Sequence, residues 1–477
     1  MPPRIQAFQY LEGLATSQVT RTLKRSPRFV HSSARRDVSI PSSSPVSSQL
    51  LPDSPRSSPP PSAQATLARL PTSTVLRSYF IGRMSSSPAL LNLCFAFLRQ
   101  MLVTKSYILS AERNPVLAKL LKTTFYAQFC IGENKQEVSQ NTIPIREQLG
   151  YDGIMLEYAL ESLGEGGVPT AEETAKEIEM WRKGMLDTVE MAKEGDFVGL
   201  KWSGLGRYAL HLLKTQQDPT PEMWSAITAA CDAAATKNVA LLPGAEEEVT
   251  NIGLEKWNLA LQKKYNTPEN GRAIMYTTYQ CYLKAIPGRL AQHLEIASKE
   301  GYIAGVKLVR GAYMLSEPRE LIFENKEGTD ACYDACAEAA LKRQWIDRIA
   351  PSNPNTPFPE TNIVLATHNL PTITKAQKIR EQQLLTSPPE SLPRLSYIQL
   401  LGMADEISQA LVQNPGMKAD VQGRVIKCMT WGTTTQCLNF LLRRASENKE
   451  AALRVGDTRK AMGAELWRRM KSVFGFA

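Results

Sequence analysis

Metal-binding spacing is missing from this chain: it has four histidines in 477 residues, and none of its eight cysteines forms a Cys-x-x-Cys pair. A zinc module is therefore excluded, and no metal site is expected. Cys332 and Cys336 share a helical face but have no cysteine or histidine partner nearby in sequence, so the thiols read as reduced and mostly buried. Uninterrupted apolar runs are missing too. The nearest approach, residues 89–109, contains Leu90, Leu91, Leu93, Phe95, Phe97 and Leu98, but Asn92, Arg99, Gln100 and Lys105 interrupt it. A spanning helix needs about 18 apolar residues, so this segment is expected to pack on the main domain, with an interfacial amphipathic helix as the alternative. No Gly-x-Gly-x-x-Gly fingerprint follows any candidate strand, which argues against a Rossmann sheet.

Acids are nearly absent from the N-terminus. Arg4, Arg21, Lys24, Arg25, Arg28, Arg35 and Arg36 face only Glu12 within residues 1–36. No apolar core of roughly 7–15 residues follows the basic start, so the composition reads as a mitochondrial transit peptide rather than a secretory signal, with a disordered basic tail as the alternative. Reduced thiols suit a matrix-facing protein. The net charge of +9 is local: residues 1–111 hold 13 Lys and Arg against 3 Asp and Glu, so the remainder is close to neutral. A nucleic-acid partner is not expected. Residues 37–88, rich in Ser and Pro and poor in aromatics, read as a disordered linker, because they bury too little apolar surface to offset ordering. Residues 89–150 read as a helical extension, and 151–477 as the main domain.

Within that domain, β-branched apolar runs alternate with amphipathic stretches. Candidate strands are 153–160, 197–203, 239–243, 272–280, 303–310, 362–367, 395–401 and 424–430, separated by helical patterns such as Glu172–Glu194, Glu222–Lys237 and Asp330–Arg348. Alternation of this kind implies parallel strands with right-handed crossovers, and eight repeats point to an α/β fold of the (β/α)8 TIM-barrel type. The Pro-rich stretches 350–361 and 386–393 precede strands and are assigned to loops at the end opposite the mouth.

The most informative stretch is Val306-Lys-Leu-Val-Arg-Gly-Ala-Tyr313. Lys307 lies inside an apolar strand and Arg310 at its end, where Gly311 and Ala312 remove side-chain bulk. Cations neutralise a bound phosphate and glycine admits a close backbone approach; a strand with a glycine turn is the plainer alternative. Lys201, in Phe197-Val-Gly-Leu-Lys-Trp-Ser-Gly-Leu-Gly206, stands late in an apolar strand, where lysine is costly unless it snorkels or meets an anion. Arg443 and Arg444 follow Phe440, Leu441 and Leu442 near the end of a predicted helix over 434–448. An arginine fork suits a carboxylate better than lysine does, and Glu447 is one turn away.

Together with Tyr279-Gln-Cys-Tyr-Leu-Lys284, Ala366-Thr-His-Asn369, Gln399-Leu-Leu-Gly-Met403 and Arg443-Arg444 with Glu447-Asn448, this stretch resembles the proline dehydrogenase family over about Phe125–Asn448, closest to its mitochondrial eukaryotic branch. The resemblance implies a barrel with FAD across its C-terminal mouth, oxidation of L-proline to 1-pyrroline-5-carboxylate, and electrons passed to a quinone. It implies a matrix protein with peripheral inner-membrane association as an option. Lys201 would be the active-site lysine, and Arg443 and Arg444 would grip the substrate carboxylate. Tyr313 and Leu400 or Leu401 would wall the substrate ring. Lys307, Arg310, Gly311, Ala312 and Gln280 would contact the flavin and its pyrophosphate, and Thr367, His368 and Asn369 the adenosine half.

Three positions depart from the family pattern. Gly244 stands where an aspartate is usual, with Glu246, Glu247 or Glu248 as substitutes; Cys428 and Phe440 each replace a tyrosine. A cysteine at 428 frees space beside the ring. The alternatives are therefore the same chemistry on 4-hydroxyproline or another cyclic imino acid, and a flavin-binding, weakly catalytic regulatory paralogue.

Overall fold

The computed structural model describes residues 66–104, 106, 113–160, 167–414, 419–447 and 456–475, all within one unit, Pro59–Ala477. The expected transit peptide lies outside the described residues. Eight parallel strands run as β1 (Gly153–Tyr158), β2 (Phe197–Leu200), β3 (Ala240–Pro243), β4 (Thr277–Gln280), β5 (Ala304–Val309), β6 (Thr361–Ala366), β7 (Arg394–Leu400) and β8 (Arg424–Trp431). Their neighbour order is β3-β2-β1-β8-β7-β6-β5-β4. The remaining seam, between β3 and β4, closes through a parallel bridge from Leu241 to Met275, with Leu241 N–H donating to Ile274 O at 2.6 Å. This is the expected (β/α)8 barrel. A three-residue strand, Cys130–Gly132, adds to β8 from outside.

The helices that matter for the site are α1 (Thr72–Ser85), α2 (Pro88–Val103), α3 (Ala171–Met191), α4 (Pro221–Thr236), α5 (Glu248–Tyr265), α6 (Ile286–Glu300), α7 (Lys326–Lys342), α8 (Leu370–Leu384), α9 (Asp405–Val412), α10 (Thr434–Glu447) and α11 (Gly456–Val473). Helices α3 to α9 make the crossovers and α10 follows the last strand. Sequence chemistry sets their starts: Thr170 and Glu173 form a reciprocal capping box on α3, and Pro221 opens α4 behind the Thr220 cap.

Period-two alternation sorts the strand side chains. Met155, Phe197, Ala240, Leu242, Ile303, Val364, Ile398, Ile426 and Cys428 fill the barrel interior, whereas Val198, Leu200, Val306, Leu308 and Leu365 face the helix layer. Two strand expectations overran by three residues or more. Residues 201–203 leave β2 for a 3-10 turn, Ser203–Leu205, which ends on Gly206 at φ 117°. Residues 272–276 approach β3 only through the bridge at Met275, because Asn266 takes up the Ile274 and Met275 N–H groups at 2.9 and 2.8 Å.

The segment read as a disordered linker, 37–88, is corrected over its described part: α1 is helical and packs on α11. Leu67 and Val75 are fully buried, and Arg469 of α11 donates to Leu67 O, Leu70 O and Thr72 Oγ1 at 3.1, 2.7 and 2.7 Å. Low local hydrophobicity hid this segment because a remote helix supplies its partners. In the 89–150 extension, α2 presents Leu91, Phe95 and Leu98 to Leu438 and Leu442 of α10. This i, i+4, i+7 stripe supports the helix that carries Arg443 and Arg444. Among the described residues no helix is long and apolar enough to cross a membrane.

Candidate active site

Every inward side chain at a strand's C-terminal end projects into the mouth. Glu157, fifth residue of β1, and Lys201, just past β2, meet there at 3.7 Å. The Lys201 ammonium also lies 3.4 Å from the centroid of the Phe440 ring on α10, and the lysine is only 5% exposed. A buried lysine therefore sits between a carboxylate and an aromatic face. Lys307, inward on β5, donates to Pro243 O at 2.8 Å at the end of β3. Burial pulls its pKa down, opposed by the charge of Glu157.

The turn after β5 is built on the preceding strand. Gly311 has φ 153°, and a Cβ there would meet the Tyr282 ring at 2.3 Å, so only glycine fits. Ala312 N–H donates to Gln280 Oε1 at 3.1 Å, while Gln280 Nε2 donates to Glu246 O at 2.7 Å. Both ends of the Gln280 amide are thus held, which fixes its orientation. Tyr313 donates to Ala245 O at 2.9 Å and accepts from Arg444 Nη1 at 3.2 Å. Arg444 spans the Phe440 and Tyr313 rings, 5.6 and 5.8 Å from their centroids. Arg443 is half-buried next to it; the side chain of Glu447 lies outside the described residues.

On the other side of the mouth, Arg310 pairs with Asp330 of α7 and donates to Thr372 Oγ1 at 3.3 Å. Thr372 in turn donates to Asp334 at 2.8 Å. Asn369 caps α8 by accepting the Thr372 N–H at 3.0 Å, and the Thr367 hydroxyl accepts from Asn369 N–H at 3.1 Å. His368 Nε2 accepts the Leu400 N–H at 3.2 Å, and burial, helped by Lys427, lowers its pKa to about 4. The imidazole is therefore neutral near pH 7, with its proton on Nδ1.

Leu400 and Leu401 separate. Leu400 points into the mouth and is 46% exposed, whereas Leu401 packs outward beside Ile154, Leu156 and Trp431, so it is not a wall of the pocket. Cys428 faces inward, opposite Met155 and Leu400 in register, and burial pushes its thiol up to about 12. Trp431 does not take its place: it stacks on Tyr158 at 4.5 Å and donates to Thr188 of α3.

At Gly244, a Cβ would touch only Leu200 O at 3.7 Å. The nearby acids diverge. Glu246 is buried and accepts from Ser203 N–H at 3.3 Å in the turn after Lys201, while Glu248 pairs with Arg289 at 2.6 Å. Sequence reading missed Glu157 and left Glu246 as one of three substitutes for the aspartate. The signal for Glu157 was an acid interrupting the apolar run Ile154-Met-Leu-Glu-Tyr158.

Comparison with known proteins points to one family. The family model described as "Proline dehydrogenase" matches residues 150–456. The probable mitochondrial proline dehydrogenase of Schizosaccharomyces pombe is 31% identical over 257 residues, covering 52% of this chain and 50% of that protein. The hydroxyproline dehydrogenase of Mus musculus is 28% identical over 410 residues, covering 74% and 83%. Proline dehydrogenase 1 of Caenorhabditis elegans is 26% identical over 332 residues, covering 65% and 50%. The chain thus spans half the length of two of these three relatives. Among solved structures, proline utilization A from Bdellovibrio bacteriovorus superposes with a TM-score of 0.59 at 16% identity, over 84% of this chain and 43% of that one, a likeness of fold. With the matched region running from the start of β1 through the arginine pair on α10, the chain belongs to the proline dehydrogenase family.

Proposed function

We propose that the protein is a mitochondrial FAD-dependent dehydrogenase that oxidises L-proline to 1-pyrroline-5-carboxylate and delivers the electrons to a quinone. The observation that carries this reading is the division of cations around one mouth. Arg443 and Arg444 stand on α10 beside Tyr313, and Lys307 on β5 and Arg310 just past its end flank the doubly held Gln280. The residues fit an FAD. The Gly311 turn lies flat against the buried Tyr282 ring, and among the described residues the buried Arg310 Nε has no partner, leaving a donor for a phosphate oxygen. Lys307, Gln280 and Ala312 would hold the flavin end, with Arg310 on the pyrophosphate and Thr367, His368 and Asn369 at the adenosine end.

Bound there, FAD supplies the two-electron acceptor. The chain binds, orients and dries the imino acid. Arg444, held by the Tyr313 hydroxyl and flanked by two rings, presents its fork to the carboxylate, with Arg443 next to it. Leu400 and Cys428 border the ring. Lys201, fixed over Phe440 and near Glu157, sets positive potential where the amine would have to be neutral, favouring loss of its proton before the ring carbon is oxidised.

A second reading, oxidation of 4-hydroxyproline, is favoured by the inward Cys428, a small side chain from which Trp431 turns away to stack on Tyr158. Purified protein should be yellow and should release FAD on denaturation. Flavin absorbance should bleach on anaerobic mixing with L-proline or, for the second reading, with trans-4-hydroxy-L-proline. A colourless protein that takes up no added FAD would end both readings.

A further inference from the structure

We propose that Cys281, Cys332 and Cys336 form a trithiol site for a thiophilic, three-coordinate ion, Cu(I) or As(III) by class. The three sulfurs come from two elements. Cys281 directly follows Gln280 at the end of β4, and Cys332 and Cys336 lie one turn apart on α7. Their Sγ atoms all lie within 4.8 Å of one another, and each thiol is fully buried. A single buried cysteine behaves as a small hydrophobe and needs no ligand. Convergence of three sulfurs at one point is a different case: thiolate–metal bonds of about 2.3 Å place the sulfurs of a trigonal ion roughly 4 Å apart.

The donor set selects the ion. Among the described residues no histidine or carboxylate joins the three sulfurs, so a tetrahedral ion would lack a fourth ligand, whereas a trigonal, soft ion would not.

Arsenous acid would condense with the three thiols, forming three As–S bonds and releasing three waters, with no net charge left behind. Cu(I) would displace three protons to solvent and leave two negative charges. Neither step changes an oxidation state. The site also touches the mouth from behind, independently of what binds there. Cys281 adjoins Gln280, and α7 holds Arg310 through Asp330. An occupied site would pin α7 to β4.

Arsenite alone, or Cu(I) delivered from a competing chelator, would be supplied both to expressing cells, so that it is present before the core closes, and to the reduced full chain. Bound ion would be measured by mass spectrometry after gel filtration, and sulfur coordination by X-ray absorption. A single equivalent with three sulfur neighbours is expected in wild type, falling to background in Cys281→Ala, Cys332→Ala and Cys336→Ala. Cys231→Ala, a buried cysteine in another cluster, should leave uptake unchanged. Serine replacements, checked by circular dichroism, separate loss of a ligand from loss of the fold. Uptake of one probe only assigns the site to that ion. Background uptake of both by wild type, or undiminished uptake by folded variants at 281, 332 and 336, would overturn the proposal.

Discussion

Replacing Arg444 by methionine keeps an unbranched stem between the Phe440 and Tyr313 rings and removes only the guanidinium. In the structure that guanidinium already has its place: Nη1 donates to the Tyr313 hydroxyl at 3.2 Å, and the two ring centroids lie 5.6 and 5.8 Å from its carbon. Little ordering remains to be done when a carboxylate arrives, so the loss falls on the ion pair. Truncating one partner of a desolvated, hydrogen-bonded pair costs about 2–5 kcal/mol. At about 1.4 kcal/mol per tenfold, binding of the imino acid should weaken by roughly 30-fold to 4000-fold. Arg443→Met should behave alike, and Arg182→Met, on the exposed face of α3, should change nothing. The assay is the dissociation constant of a five-membered-ring carboxylate that cannot be oxidised, followed by flavin absorbance, together with KM for proline. FAD content should stay at the wild-type level. Wild-type affinity in both variants would refute the carboxylate clamp and leave the pair as surface charges.

Other consequences follow from the buried charges and the pocket wall. Lys427→Met strands Asp405, which Lys427 meets at 2.7 Å with both side chains buried, and should lower unfolding free energy by about 3–5 kcal/mol. The double variant with Asp405→Leu should recover most of it in denaturant titrations. Against the effect of burial, Asp405 and Tyr151 hold the Lys427 pKa above its usual value, so its contribution should stay constant through neutral pH and fade only in strong alkali. Burial and Lys427 lower His368 to about 4, so the folded state resists protonation there. Stability from this group should be complete above about pH 6.5 and decline as pH falls toward 4, and His368→Asn should flatten that part of a melting-temperature profile. Cys428→Tyr should move the ratio of kcat/KM toward proline and away from 4-hydroxyproline by about 10–200-fold, and an unchanged ratio would show that position 428 does not select the substrate.

The barrel was legible because each of its elements is a local pattern. Alternating strand residues, Thr170 and Glu173 at the start of α3, and Pro221 after Thr220 mark faces and boundaries with no need of distant partners. The roles of Lys201, Lys307 and Cys428 came from the family resemblance rather than from periodicity. Strand ends were less legible, since Asn266 and the Ser203–Leu205 turn compete for the backbone groups that would have lengthened β4 and β2.

Sequence alone determined the count of strands, the Lys307–Tyr313 turn and the arginine pair, because glycine, cation spacing and apolar period are properties of neighbouring residues. Only the tertiary structure decided that α1 is ordered against α11, that Leu400 rather than Leu401 faces the mouth, and that Glu157 meets Lys201. The convergence of Cys281 with Cys332 and Cys336 belongs with these. Each depends on where closing the barrel brings residues far apart in the chain, and periodicity along one strand or helix carries no information about that.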